Sequence, residues 1–175
     1  AGHAALLLIK KDNSEINYFD FGRYITSYGK GRVRSKETDS ELHIPLKAEF
    51  KKGELANLKE ILLWLDNHPE KTHGDGRLVA TLNNQIDYDL ASNFINKIIK
   101  RKEVPYGVFI KNGSNCSRFV TNTLIASLNN KKIKLQLKKS NLFTPSPIGN
   151  VIKATSTNSI YQLENQQINS YKNRS

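Results

Sequence analysis

The order of apolar and polar positions divides the chain into a strand-rich start and a helical middle. "HAALLLI" (3–9) reads as a buried strand and "INYFDFG" (16–22) alternates, with turn chemistry in "KKDNSE" (10–15) between them; together they predict a hairpin. If it closes around residues 11–14, Leu8 falls opposite Asn17 and Ala5 opposite Asp20. "RYITSYGKGRVRSKETDS" (23–40) is rich in Gly and charge and reads as a long loop insertion. "ELHIPLKAEF" (41–50) puts Leu42, Ile44, Leu46, Ala48 and Phe50 on one face at period two, which predicts a strand, edge or bulged because of Pro45.

Three helices follow. Leu55, Leu58, Leu62 and Leu65 share a face, and "NHP" (67–69) ends that helix. After "THGDGRLVATL" (72–82), a loop feeding a strand, Ala91, Phe94, Ile95, Ile98 and Ile99 define a second helix with Asp87 as N-cap. Cys116, Phe119, Val120, Thr123, Leu124, Ser127 and Leu128 define the third. "KIKLQL" (132–137) and "NVIKATS" (150–156) read as late strands separated by "TPSPIG" (144–149). The expectation is one α+β domain over residues 1–156 with a mostly antiparallel sheet, then a polar, partly disordered tail over 157–175.

Composition narrows the function classes. The 175 residues carry a formal net charge of +11 and 38% hydrophobic residues, a globular balance that favours anionic partners. The basic clusters at 30–36, 97–102, 131–139 and 171–175 lack interleaved stacking aromatics, so nucleic acid is not the expected partner. No apolar run reaches membrane-spanning length. The start at Ala1, in a chain without Met, fits a processed boundary; a soluble protein, cytoplasmic or secreted with a removed leader, is expected. The single cysteine rules out an internal disulfide framework and a Cys-rich zinc site.

That cysteine carries the candidate chemistry. Cys116 lies on the apolar stripe of its helix, where a small buried hydrophobe belongs. It also falls in the first turn, after the N-cap candidates Ser114 and Asn115, where free N–H groups favour a thiolate and offer part of an oxyanion hole. Position alone leaves nucleophile and core residue both open. A nucleophile needs an imidazole. His43 is out of phase with the apolar face of its segment, His68 sits in a helix stop, and His73 lies in a Gly-rich loop. His3 heads the first strand, and the hairpin register makes it a diagonal neighbour of Asp20, an acid placed to orient it.

The order His3, Asp20, Cys116, carried by Gly2-His3 and by Asn115-Cys116-Ser117-Arg118-Phe119-Val120, resembles the circularly permuted branch of the NlpC/P60 papain-like superfamily. That branch includes the lecithin–retinol acyltransferase-like and PPPDE-like proteins, and the sequence looks most like one of its uncharacterised bacterial families. The resemblance implies an antiparallel sheet with the nucleophile helix packed on it, Cys116 as nucleophile, His3 as base and Asp20 third. The expected reaction is thiol-dependent cleavage of an amide in a peptide, isopeptide or cell-wall peptide, with no metal and no cofactor. Arg23, Tyr24, Arg32 and Arg34, with His73, are candidates for holding carboxylate or phosphate groups of a substrate. His73 and Asp75 lack further ligands for a metal. The competing readings are an acyltransferase or lipid hydrolase of the same fold, a non-catalytic papain-like module binding an anionic partner, and a toxin or effector domain of a longer chain.

Overall fold

The computed structural model describes residues 2–74, 76–142 and 146–173. The hairpin forms in the expected register: β1 (Ala5–Ile9) pairs antiparallel with β2 (Ile16–Gly22), Ala5 opposite Asp20 and Leu8 opposite Asn17. The first departure comes next. The 23–40 segment is not a continuous loop, because Lys30–Arg34 forms β3 and pairs with β2, Asp20 opposite Arg34. A strand with basic residues at every second position does not look like the inside of a sheet; here an ion pair compensates Arg34's burial. Gly31 permits the close packing, since a Cβ there would lie 2.8 Å from the Phe21 ring.

Residues 41–50 are the second departure. A 3₁₀ turn at Ser40–Leu42 leads into extended chain that meets the first hairpin through an isolated bridge, Lys47 to Glu15, before Phe50 starts β4 (Phe50–Lys51), paired with β5 (Glu54–Leu55). Leu42, Ile44 and Ala48 are buried as the alternation requires, so the pattern marks one-sided burial and not a ladder. Pro45 offers no N–H for one.

α1 (Leu58–Asp66) and the short α2 (Pro69–Thr72) follow, then β6 (Leu78–Thr81), α3 (Tyr88–Lys100) and β7 (Val104–Pro105). Asp87 caps α3 by accepting from Leu90 N–H at 2.9 Å. α4 (Cys116–Ser127) is the cysteine helix.

The late strands expected at 132–137 and 150–156 are helical instead: α5 (Lys131–Leu142) and α6 (Pro147–Lys153). Ile133 and Leu137, four apart, are buried while Leu135 is exposed, so only two of the three apolar positions report a face. Asn130 and Ser146 accept from Ile133 and Gly149 N–H, supplying the caps. Residues 144–145 of the intervening stretch lie outside the described residues.

Beyond Thr157 the expected loose tail is a hairpin, β8 (Ser159–Glu164) and β9 (Gln167–Lys172), which extends β6 into a three-stranded sheet. Asn165 and Gln166 both have positive φ, as a two-residue type I′ turn demands. Ile160 and Leu163 are buried and anchor it.

The four-stranded sheet has the order β1-β2-β3-β7. Leu8, Phe21 and Val33 pack one face against α3 and α4 through Ala91, Ile95, Phe119 and Val120. Tyr18, Leu42, Ile61, Leu65 and Leu163 form the core on the other face, toward α1 and the second sheet. The result is an α+β, papain-like fold with antiparallel sheets and the cysteine helix laid on the first.

Candidate active site

Three elements meet at the head of the first sheet. Asn115 caps α4: its Oδ1 accepts from Arg118 N–H at 2.8 Å, which puts Cys116 at the first helical position. Ser114 does not cap; its Oγ donates to the Asn115 carbonyl, and its backbone bonds to Pro105 and Gly107 hold the preceding loop against β7. Arg118 pins the same loop through the Val108 carbonyl at 2.8 Å. Cys116 is 8% exposed, in the core cluster with Ala4 and Phe119.

His3 precedes the ladder of β1 and reaches Asp20 on β2, Nε2 to Oδ2 2.9 Å. The same nitrogen lies 3.3 Å from the Tyr24 hydroxyl, while that hydroxyl donates to Asp20 at 3.2 Å. With Nε2 held by the carboxylate, Nδ1 is the basic nitrogen left for the thiol. The hydrogen bonds of the ring to Asp20 and Tyr24 both run through Nε2, and the ring and the Cys116 thiol are close enough for each to shift the other's titration.

The electrostatics of the three groups agree. Burial disfavours an ionised Cys116, but the His3 ring and the Ala4 and Ser117 N–H groups outweigh it and lower the thiol pKa. Burial likewise opposes a charged His3, yet Asp20 and Cys116 raise its pKa to about 9. Asp20 is fully buried, and despite that burial His3 and Arg34 hold its carboxyl below the usual range. Each shift is toward the charged form: thiolate, imidazolium and carboxylate.

The loop cations expected to meet a substrate are largely engaged inside the protein. Arg34, 4% exposed, donates to both Asp20 oxygens (3.0 and 2.5 Å) and to the Lys71 carbonyl. Its guanidinium covers the Tyr24 ring at 3.7 Å. Arg32 forms a two-point pair with Asp39 and donates to the Tyr24 carbonyl at 2.7 Å. Both arginines thus build the frame around Asp20 and Tyr24. Arg23 is exposed over the Tyr106 ring and remains open to a ligand. His73 reaches the rim of the same cluster, Nε2 3.0 Å from an Arg34 nitrogen. Asp75 lies outside the described residues. His43 is exposed, and His68 stacks on Trp64, half-buried.

Two contributors escaped sequence reasoning. Tyr18 donates to Asp20 at 3.0 Å; its place on the Asp20 face was legible, its hydroxyl's target was not. Asn150 on α6 is buried and donates to Thr121 (2.7 Å) and Ser117 (3.1 Å) while accepting from Ser140 (2.7 Å). It ties α5 and α6 to the first turns of the cysteine helix, and nothing local in "PIGNVIK" signals it.

Among the described residues no three His, Cys, Asp or Glu side chains group as metal ligands, and no helix is long and apolar enough to cross a membrane.

Residues 1–133 match the family model described as "Type VI secretion system effector TseH-like". A crystal structure of the type VI secretion system effector TseH is similar in fold, with TM-score 0.60 and 15% identity; the match covers 97% of this chain and 87% of that one. No curated protein matches.

Proposed function

The chain belongs to the TseH-like family of type VI secretion system effectors, and from that premise we propose that it is an effector acting as a thiol hydrolase on amide bonds. The observation that carries the reading is Cys116 at the start of α4 beside a His3 ring held by Asp20 at 2.9 Å. The chain order of the three residues supports placing it in the permuted branch of the papain-like superfamily.

In the proposed reaction, His3 Nδ1 holds the proton of the Cys116 thiol, and the thiolate attacks the amide carbonyl carbon. The Cys116 N–H, at a helix position without an intrahelical acceptor, faces the developing oxyanion. Collapse of the tetrahedral intermediate breaks the C–N bond, and the imidazolium gives its proton to the leaving amine. Water, deprotonated by His3, then hydrolyses the thioester and frees the carboxylic acid and the thiol. Asp20 keeps Nε2 protonated and the ring oriented throughout. Asn115 serves as the cap of α4.

Incubating the purified chain with peptidoglycan sacculi and, separately, with an unfolded polypeptide tests the reading by the appearance of new primary amines. Release by the native chain and none by Cys116→Ala is expected. Equal release by both, or by neither on any amide, contradicts it. The low exposure of Cys116 favours one second reading, an inert papain-like binding module, in which the thiol stays unreactive until unfolding.

A further inference from the structure

Two sheet edges have no partner strand among the described residues and border the same cavity. β1 is the outer strand of the four-stranded sheet and β6 that of the three-stranded one. Every residue of Ala5–Ile9 and of Leu78–Thr81 borders one cavity of about 1070 Å³. Among the described residues no backbone hydrogen bond joins the two strands.

The hairpin fixes which backbone groups β1 presents. Lys10 N–H donates to the Glu15 carbonyl at 3.2 Å, so Lys10 and Glu15 form a hydrogen-bonded pair. Such pairs alternate along an antiparallel ladder, so Leu8 and Leu6 also bond to β2. The N–H and C=O groups of Ala5, Leu7 and Ile9 then point away from β2, into the cavity.

The surroundings of these rails are apolar on both sides. Ile61 and Leu65 of α1 lie on one face of the gap, and Val120 and Leu124 of α4 on the other. His3 and Ser117, the residue after Cys116, border the same cavity, so along β1 it reaches the imidazole and the first turn of α4. An acyl chain filling this space would leave the rail amides unpaired, and an unpaired buried backbone group costs about 1–3 kcal/mol; a sugar could pair with the rails but would turn its remaining hydroxyls against the apolar walls at a similar cost. An extended polypeptide pairs with them and sends alternate side chains to both apolar faces.

We infer that the groove between β1 and β6 takes the substrate as an extended, unbranched polypeptide strand, apolar on both faces, that joins the two sheets into one. This rests on the thiol-hydrolase reading for what happens at Cys116, while the binding itself does not. The five residues of β1 span roughly 17 Å at about 3.3 Å per residue, so the strand needs about five residues on the groove side of the scissile bond.

The test uses the Cys116→Ser chain, which leaves its ligand uncut, and a reduced, carboxymethylated polypeptide as probe. Hydrogen exchange at the Ala5, Leu7 and Ile9 amides should slow at least about tenfold with the probe and stay unchanged with a free tripeptide amide or with sacculi. Leu7→Pro in the same background removes one rail donor and no ladder donor; it should bind the probe at least about tenfold more weakly than Leu7→Ala, which loses the same side chain. If Leu7→Pro fails to fold, the exchange result decides alone. No slowing with the probe, or equal binding by the two variants, overturns the inference. Slowing in the concentrated chain alone, with the mass of a dimer, would assign the groove to a second copy and overturn it equally. Probe protection without cleavage by the native chain keeps the groove and removes the thiol-hydrolase reading; sacculus cleavage without protection does the reverse.

Discussion

Arg34 and His3 share one oxygen: Asp20 Oδ2 accepts from the Arg34 guanidinium at 2.5 Å and from His3 Nε2 at 2.9 Å. The acid that orients the imidazole is thus itself clamped by a buried cation. Breaking a buried pair by removing one partner costs about 3–5 kcal/mol, because the other charge is left uncompensated. Arg34→Met should lose stability of that order and slow Cys116 labelling. Combining it with Asp20→Asn should cost clearly less than the two single losses added together, read from urea unfolding of all four proteins.

His3 and Cys116 contribute to stability with opposite signs over neighbouring pH ranges. The His3 pKa, raised from 6.5 to about 9, adds stability that is complete below pH 6.5 and is lost as the pH rises through about 9. Cys116, whose pKa is lowered, adds stability at high pH that is lost as the pH falls. The two offset in the native chain. In Cys116→Ser the opposing slope disappears together with the Cys116 share of the raised His3 pKa; what Asp20 supplies against burial remains, so unfolding free energy should decline as the pH rises above 6.5, over a narrower range than one reaching about 9. Urea titrations at a series of pH values check this; a flat profile in the variant counts against it.

Asn150 makes three buried side-chain hydrogen bonds between α6 and helices α4 and α5. Asn150→Ala strands Ser117, Thr121 and Ser140 without that partner. A loss of about 2–3 kcal/mol is expected from the usual cost of orphaned buried polar groups. Chemical denaturation measures it.

A chain ending at Thr157 lacks β8 and β9 and leaves the β6 edge and the α1 core open, since Leu163 packs among Ile61, Leu62 and Leu65. It should melt well below the full chain or aggregate. An unchanged melting temperature would mean that the hairpin is dispensable.

What was legible in the sequence follows the strength of local signals. The β1–β2 register follows from turn placement and a period of two, and it puts His3 beside Asp20. α3 and α4 announced themselves through apolar faces and the caps Asp87 and Asn115. β3 was hidden because its buried last residue, Arg34, is satisfied by an ion pair to Asp20, which pattern reading scores as surface. α5 was hidden because Ile133, Leu135 and Leu137 alternate although only the first and last face inward. The β8–β9 hairpin was hidden because Asn165-Gln166 lacks the glycine that usually marks a type I′ turn. The engagement of Arg32 with Asp39 and of Arg34 with Asp20 depends on β3, so it was hidden with that strand.

The most direct measurement is the rate at which iodoacetamide alkylates Cys116 as a function of pH, in the native chain and in His3→Ala. With one cysteine, every labelled molecule reports that thiol. Fast labelling well below the free-thiol pKa of about 8.5, lost in His3→Ala, is the expected result and identifies a thiolate–imidazolium pair. Labelling that follows an ordinary thiol titration in both proteins, or that appears only on unfolding, would contradict a nucleophilic Cys116.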